Sequence, residues 1–254
     1  MEWDPNVYLS FERTRLQPAL DLISRIPNRN FNEIADLGCG PGNVTHLISQ
    51  KWINANVTGY DSSDEMLAKA KRTYSHINWI KQNAKTFSPH QPLDLIFSNA
   101  CLQWLPDHKI LFPNLIKQLS DGGVFAVQMP NNYRRPTHEY VKKAAKEAGL
   151  FNELKDLFNP IPVNNPDHYY EILSPLCRQV DIWETDYLQE LEGDNPVADW
   201  TTGSYLRPFL QALNDENKVR FEKHYRDLIL TAYPKQFNGK TLLPFKRLFI
   251  LAIH

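Results

Sequence analysis

The feature that most constrains the fold of this chain is a hydrophobic stretch that leads directly into a glycine-rich turn. The stretch is Ile34–Leu37 (IADL), and the turn that follows is Gly38–Asn43 (GCGPGN). Alternating glycines, here Gly38, Gly40 and Gly42, are needed where the backbone bends tightly and a ligand approaches it closely. The pattern therefore predicts a buried strand, a ligand-binding turn and the start of a helix.

Short apolar runs alternate with stretches of helical periodicity along the first half of the chain. An amphipathic helix is predicted for residues 8–26, ahead of the glycine turn. Strands are predicted for residues 34–37, 56–60, 77–81, 93–98 and 124–129, and helices for residues 44–51, 63–74 and 108–119. Such alternation is typical of βαβ units, so the sequence predicts an α/β fold with a parallel, Rossmann-like sheet.

The rhythm changes after Pro130. Residues 136–148 and most of residues 197–233 have helical periodicity, whereas residues 180–188 and 247–253 are predicted strands. Because a helical segment between two strands suggests a lid, we expect three parts. They are a cap helix over residues 1–30, a ligand-binding core over residues 31–130, and lid insertions with the final strands over residues 131–254.

The acid that precedes the glycines distinguishes two kinds of nucleotide ligand. A dinucleotide site requires G-x-G-x-x-G/A, but the sixth position is Asn43 counted from Gly38 and Thr45 counted from Gly40. Asp36 lies two residues before the first glycine. Its carboxylate would repel a pyrophosphate and attract a cationic group, such as the amino group of a methionine moiety. The pattern therefore favours S-adenosylmethionine over NAD.

Asp61 supports the same ligand. It ends the second predicted strand, 25 residues after Asp36, where an acid of a nucleotide-binding fold accepts hydrogen bonds from the ribose hydroxyls. Ser62 and Met66 follow, and the Met66 side chain could cover the adenine ring. A structural role is the alternative in each case, with Asp61 as a helix N-cap and Met66 as a core residue.

The ends of the third and fourth predicted strands offer further contacts to the cofactor. Asn83 could accept a hydrogen bond from the adenine amine and Ala84 could donate one to a ring nitrogen, although both residues would also suit a plain turn. Asn99 and Ala100 can offer backbone carbonyls to the amino group, because ligands of open α/β sheets bind at the carboxyl ends of the strands.

Gln103 and Trp104 are predicted to shape the reaction cavity beside the sulfonium, although a tryptophan there can equally be a packing residue. Cys101 has no histidine nearby in the sequence to activate it, so it is interpreted as a small wall residue. No nucleophile is therefore assigned in this segment.

With these residues in place, the chain resembles the class I S-adenosylmethionine-dependent methyltransferases that esterify trans-aconitate. Its most specific motifs are LQWLPDH at Leu102–His108 and AVQMP at Ala126–Pro130, and LRP at Leu206–Pro208 and RLFI at Arg247–Ile250 also match. The resemblance implies a mostly parallel class I sheet with an antiparallel last strand and a helical lid. It also implies methyl transfer to a carboxylate of trans-aconitate, with S-adenosylhomocysteine as the second product.

Two positions depart from the family pattern. The family has an aspartate where this chain has Asn83, but an amide oxygen can still accept the adenine amine, so we expect cofactor binding to persist. Tyr60 replaces an aliphatic residue, and we have no functional account of it.

The expected reaction needs no catalytic side chain. A carboxylate with a pKa near ~4 is already ionised at neutral pH, so positioning and exclusion of water would carry catalysis. Arginines suit a clamp on the acid, because the guanidinium is planar and always charged, although any of them could instead form a surface ion pair. The candidates for acceptor binding are Arg207, Arg247, Tyr170, Tyr8 and His168, with Gln103 and Trp104, and Arg15 is the candidate for the carboxylate of the cofactor.

Composition limits the other functions. The net charge is -1, which disfavours nucleic-acid binding. The apolar runs are too short to cross a bilayer, and the eight histidines lack metal-ligand spacing. Three cysteines without paired spacing and no visible signal peptide favour a reducing cytoplasm. We expect a cytoplasmic monomer that acts on a small acid, without metal, nucleic acid or membrane.

Two further functions stay open at this point. One is methylation of another small acid or of a carrier-bound acid, and the other is non-catalytic binding of S-adenosylmethionine. RNA modification is a third, which the charge disfavours.

Overall fold

The computed structural model describes residues 16–158 and 163–254 of the chain. It divides into two compact units. Among these described residues, unit 1 comprises the chain up to Met129 with Asn164–Glu184 and Leu248–His254, and unit 2 comprises those of Pro130–Val163 and Thr185–Arg247. The strands are β1 (Glu33–Leu37), β2 (Asn56–Asp61), β3 (Asn78–Lys81), β4 (Leu93–Asn99), β5 (Leu119–Pro130), β6 (Gln179–Leu191) and β7 (Thr241–Ile253).

The seven strands form one sheet in the order β3-β2-β1-β4-β5-β7-β6. The first five strands pair in parallel, and β7 is antiparallel to both of its neighbours, β5 and β6. This confirms the predicted α/β class, a mostly parallel sheet with an antiparallel last strand. Central parallel strands are covered on both faces, which explains why β1 and β4 are buried along most of their length.

The helices of unit 1 are α1, of which residues 16–25 are described, α2 (Asn43–Lys51), α3 (Asp64–Thr73), α4 (His108–Ile116) and α7 (Pro166–Leu173). Those of unit 2 are α5 (Pro136–Glu147), α6 (Phe151–Leu154), α8 (Pro196–Thr202), α9 (Arg207–Gln211) and α10 (Asp215–Ala232). Within residues 16–158 and 163–254, no helix is long and apolar enough to cross a bilayer.

The predicted elements are present among the described residues, and their bounds differ most at three places. β5 begins at Leu119 and contains an irregularity, since Leu93 pairs with Leu119 whereas Leu95 pairs with Val124. β7 begins at Thr241, well before its predicted start. The long helical region predicted over residues 197–233 is divided into α8, α9 and α10, because the Asn214 side chain caps a new helix by accepting a hydrogen bond from the backbone of Asn217.

Unit 2 has an apolar core of its own. Its helices α5 and α10 pack against each other, with Val141 and Ala144 on α5 and Phe221 on α10 completely buried. Tyr225, also on α10, is buried as well, and its hydroxyl donates to the backbone carbonyl of Thr137 at 2.9 Å. The hydroxyl that Tyr225 brings into this core is thus paired.

Candidate active site

A cleft of about 440 Å³ lies in unit 1, where four parallel strands end. Its walls are the segments that directly follow β1, β2, β3 and β4. The lining residues are Gly38, Gly40, Pro41, Asp61, Ser62, Met66, Gln82, Asn83, Ala84, Ala100, Cys101, Trp104 and Leu105. The fold therefore brings together the segments in which the sequence predicts cofactor contacts, at the sheet edge where ligands of α/β proteins bind.

The turn between β1 and α2 has a left-handed backbone at all three of its glycines, with φ of +74° at Gly38, +55° at Gly40 and +89° at Gly42. A β-carbon on Gly38 would lie 2.2 Å from the Sγ atom of Cys101, and one on Gly42 would lie 2.5 Å from the ring of Trp79. A β-carbon on Gly40 would meet nothing within 4 Å. Gly42 does not line the cleft, so it serves packing, whereas Gly40 leaves the cleft open.

Replacing Gly38 by alanine is expected to destabilise the protein by at least about 2 kcal/mol, because the new methyl group adds a steric clash with Cys101 to the left-handed strain. Gly40→Ala is the matched control. It introduces the same kind of backbone strain in open space and should cost only about 1 kcal/mol. Urea unfolding measures both free energies, and equal losses would show that contact with Cys101 does not matter.

Asp61 connects the glycine turn to the end of β2. Its Oδ2 atom accepts a hydrogen bond from the Gly40 amide at 2.9 Å, and its Oδ1 atom accepts one from the Ser63 amide at 2.8 Å. The N-cap of α3 is Ser63, whose hydroxyl accepts from the Met66 amide, so the alternative role of Asp61 as the N-cap is wrong. Each carboxylate oxygen keeps a lone pair that can face a ligand.

Asp36 does not reach the surface of the cleft. The residue is 2% exposed, and its Oδ2 atom accepts a hydrogen bond from the Thr45 hydroxyl at 2.6 Å. Burial raises the pKa of Asp36 to about 7, against the opposing effect of the Thr45 hydrogen bond and with a further increase from the charge of Asp61. The Asp36 carboxyl group lies behind the glycine turn, so it is not positioned in the free protein for the predicted direct contact with a cationic group.

The segment after β3 forms the turn that the sequence left open as one of its roles, and it also lines the cleft. The side-chain oxygen of Asn83 accepts from the Lys85 amide at 2.9 Å and so caps a short 3-10 turn, Ala84–Thr86. Asn83 also lines the cleft, as does Gln82, whose amide donates to the backbone carbonyl of Asp61 at 3.0 Å. This second bond holds the ends of β2 and β3 together.

The segment after β4 contains a strained residue, Ala100, with φ of +53°. Its amide donates to the Gln128 backbone carbonyl at 2.9 Å, and its carbonyl accepts from the Gln103 side chain at 2.8 Å. The carbonyl that is predicted to bind the amino group of the cofactor thus already has one partner. Trp104 lines the cleft and is 77% exposed, whereas Asn99 and Gln103 lie outside the lining.

His108 holds this segment in place. Its Nε2 atom lies 2.9 Å from the carbonyl oxygen of Leu102, which can only accept, so Nε2 carries the proton and Nδ1 accepts from the Tyr169 hydroxyl at 2.8 Å. Burial lowers the pKa of His108, so the ring is neutral at pH 7. Sequence patterns give no signal for this contact, because Tyr169 is distant in the chain.

The predicted acceptor residues of unit 1 include Tyr170 and His168, which both lie on α7. Tyr170 is 56% exposed, and His168 is half-buried. The two site residues predicted in the N-terminal segment, Tyr8 and Arg15, lie outside the described residues.

The two candidate arginines belong to unit 2 and differ in their surroundings. Arg207 is exposed at the start of α9. Arg247 is half-buried on β7, with its guanidinium carbon 4.4 Å from the centre of the Phe245 ring. Its Nε atom is buried and has no hydrogen-bond partner among the described residues. Burial lowers the pKa of Arg247 to about 10, and the nearby Tyr187 opposes this effect. A half-buried guanidinium that pairs with no carboxylate is suited to binding an anionic ligand.

Pro41 and Leu105 also line the cleft, and the sequence did not predict them. Both lie inside motifs that were recognised, but an apolar residue in a turn carries no chemical signal of its own. Cys101 is part of the wall, as expected. Across the part of the chain that the structure describes, no cluster of three or more acidic, histidine or cysteine side chains could hold a metal ion.

Comparison with known proteins gives concordant matches. A family model described as a methyltransferase domain matches residues 8–172. Proteins of several Escherichia coli strains named trans-aconitate 2-methyltransferase are 42% identical over 251 residues, which cover 99% of this chain and 98% of theirs.

Two solved structures share the fold at low sequence identity. The YcgJ protein of Bacillus subtilis is 14% identical with a TM-score of 0.57, over 92% of this chain and 97% of its own. A phosphoethanolamine N-methyltransferase 2 of Haemonchus contortus, solved with S-adenosyl-L-methionine, is 16% identical with a TM-score of 0.53, over 93% of this chain and 52% of its own.

Proposed function

The chain belongs to the S-adenosylmethionine-dependent methyltransferases, and we propose that it transfers a methyl group to a carboxylate of trans-aconitate. The observation that carries the choice of acceptor is the 42% identity, over nearly the whole length of both chains, to relatives named for that activity. The geometry described above supports the cofactor, and the surroundings of the candidate arginines support an anionic acceptor.

The residues of the cleft fit S-adenosylmethionine. Asp61 offers free lone pairs to the ribose hydroxyls, and Asn83 has an amide oxygen with a second lone pair for the adenine amine. Met66 is 40% exposed in the cleft, where it can cover an aromatic ring. Ser62 and Ala84 complete this wall, and the open space at Gly40 allows a ligand to approach the backbone.

The bound cofactor supplies an electrophilic methyl group, and the protein must present the right nucleophile to it. A carboxylate is ionised at neutral pH and needs no base. The Cys101 thiol also lines the cleft, but burial raises its pKa to about 12, with smaller increases from the charges of Asp61 and Asp36. Cys101 therefore stays protonated, and the protein avoids methylating itself.

We place the acceptor carboxylates on the arginines, with Arg247 as the principal contact. Its half-buried guanidinium has no acidic partner among the described residues, and its planar donors suit a carboxylate. Arg207, Tyr170 and His168 are further candidates on exposed or partly exposed surface. Tyr8 and Arg15 keep their predicted roles toward the acceptor and the cofactor carboxylate.

Arg247→Met is expected to lower kcat/KM for trans-aconitate by about 10- to 100-fold, the effect of losing a charged hydrogen bond, while the affinity for S-adenosylhomocysteine stays nearly unchanged. Arg207→Ala should raise KM by a smaller factor, because an exposed contact is weaker. Steady-state kinetics and calorimetry measure the two quantities separately. Parallel losses of acceptor and cofactor affinity would assign Arg247 to folding instead.

Methyl-labelled S-adenosylmethionine and a panel of di- and tricarboxylic acids test the activity itself. We expect base-labile label on trans-aconitate, as a methyl ester requires. Label on another acid alone would replace the proposed acceptor. Tight cofactor binding without transfer to any acid would make the protein a non-catalytic binder.

The proposal extends to the setting of the enzyme. We place it in the cytoplasm as a monomer that acts on a small acid and binds neither nucleic acid nor a membrane. Three free cysteines and a net charge of -1 accord with this setting. Size-exclusion chromatography with light scattering tests the monomer.

A further inference from the structure

Three amide side chains at the carboxyl ends of β4 and β5 contain buried polar atoms that lack hydrogen-bond partners in the part of the chain that the structure describes. These atoms are Oδ1 of Asn99, Oε1 of Gln103, and both Oε1 and Nε2 of Gln128. Gln128 is completely buried and Gln103 is 3% exposed. Buried polar groups are almost always paired, so four unpaired atoms in one place require an explanation. All three residues belong to unit 1.

The three side chains are close to one another. Asn99 and Gln128 are register partners on the parallel strands β4 and β5, so their side chains are neighbours on one face of the sheet. Gln103 lies on the turn that follows β4 and donates from Nε2 to the Ala100 carbonyl, which in turn follows Asn99. That bond fixes the orientation of the Gln103 amide, so its Oε1 atom can only be an acceptor.

The free atoms define the chemistry of the missing partner. Gln128 presents one donor and one acceptor side by side, and Gln103 presents an acceptor. A carboxylate has only acceptor atoms, so it would meet the Gln103 oxygen without forming a hydrogen bond. A carboxyl group in its acid form has one donor and one acceptor, which match the Gln128 amide atom for atom. Burial favours that neutral form as well.

We propose that Gln128, with Gln103 and Asn99, forms a subsite that binds one carboxyl group of the acceptor in its protonated form. The subsite deepens the proposed function and rests on it, since it assigns a place to a carboxyl group that is not methylated. It requires an acceptor with more than one carboxyl group. Because the amides are covered in the free protein, the acceptor must displace the chain that covers them as it binds.

The first test compares trans-aconitate with its mono-carboxamide derivatives on the wild-type enzyme. A carboxamide has the same donor and acceptor pair as a protonated carboxyl group, but it does not ionise. Between pH 6 and 8 we expect kcat/KM for the parent acid to fall about tenfold per pH unit relative to that of one carboxamide derivative. The titratable groups near the subsite, Asp36, Asp61, Cys101 and His108, act equally on both acceptors, so the ratio reports the acceptor alone.

The second test replaces the amide. Gln128→Leu is expected to lower kcat/KM for the parent acid and for the preferred carboxamide at least about tenfold, because two hydrogen bonds are lost. Its thermal midpoint should be equal to or above that of the wild type, since an unpaired buried amide is removed. Gln50→Leu makes the same change at an exposed position of α2 and should leave kinetics unchanged. Gln128→Met serves if the leucine variant does not fold.

The outcomes separate the two proposals. An equal pH dependence for the acid and all its carboxamides, or unchanged kinetics in the Gln128 variants, overturns the subsite while methyl transfer stands. Loss of activity together with a lower thermal midpoint also overturns it, because Gln128 would then be structural. Absence of transfer to any acid, with S-adenosylhomocysteine still bound, instead overturns the proposed function.

Discussion

Replacing Asp61 by alanine is expected to weaken the binding of S-adenosylhomocysteine by about 100- to 10,000-fold. The carboxylate accepts hydrogen bonds from Gly40 and Ser63, so it holds the glycine turn and the start of α3 at the same point of the cleft. It is also the proposed acceptor for the ribose hydroxyls. Hydrogen bonds to a charged group contribute about 1.5–3 kcal/mol each, and the substitution removes at least two of them from the bound state.

Calorimetry with S-adenosylhomocysteine measures this loss, and two variants control for other causes. Asp61→Asn keeps the shape but places an NH2 group against a backbone amide, so it should lose almost as much affinity. Asp64→Ala removes an exposed carboxylate that pairs only with Lys81 on the surface, and it should change affinity very little. An affinity in Asp61→Ala within a few-fold of the wild type would contradict the assignment of Asp61 to the cofactor.

The cleft of unit 1 could be predicted from the sequence because its signals are local. A glycine forced into left-handed backbone, such as Gly38, leaves a pattern in adjacent residues, and an acid at the end of a strand, such as Asp61, is placed by that strand. Parallel strands end at one edge of a sheet, so recognising each end separately was sufficient to bring the residues together.

Burial could not be predicted in the same way. Asp36 precedes the glycines at the expected distance, but whether its carboxyl group faces the cleft depends on Thr45, which α2 places against it. Gln128 lay within a recognised motif, yet only the packing around β5 shows that its amide is buried and unpaired. Side-chain environment is set by packing between elements, which residue spacing does not report.

The two candidate arginines illustrate the same limit. Arg207 and Arg247 are chemically identical, and both lie in motifs of the second half of the chain. The structure distinguishes them, because Arg207 is exposed whereas Arg247 is half-buried with its guanidinium over Phe245. The expected kinetic difference between their variants follows from this contrast alone.

Asp36 also determines how the stability of the free protein responds to pH. Its pKa is 3.8 in the unfolded chain and about 7 in the folded protein, chiefly because burial disfavours the charge. Between these values the folded state holds a proton that the unfolded state has released, so the stability contribution of Asp36 is greatest below pH 3.8 and is lost as the pH rises through about 7. The difference between the two pKa values corresponds to about 4 kcal/mol in the free energy of unfolding.

Asp36→Asn is therefore expected to become more stable relative to the wild type as the pH rises. The amide has nearly the same shape, stays neutral, and can still accept the Thr45 hydrogen bond, so the two proteins should differ little at pH 4. At pH 8 the variant should exceed the wild type by up to about 4 kcal/mol, which urea unfolding without cofactor measures at both pH values. Other titrating groups act on both proteins and cancel in the difference. Asp94 is one of them: burial raises its pKa, but hydrogen bonds from Asn32 and Ser120 outweigh that effect and lower the pKa below its usual value. If the difference in free energy of unfolding between the two proteins does not change between pH 4 and 8, the pKa of Asp36 is not raised by folding and its carboxyl group is exposed to solvent.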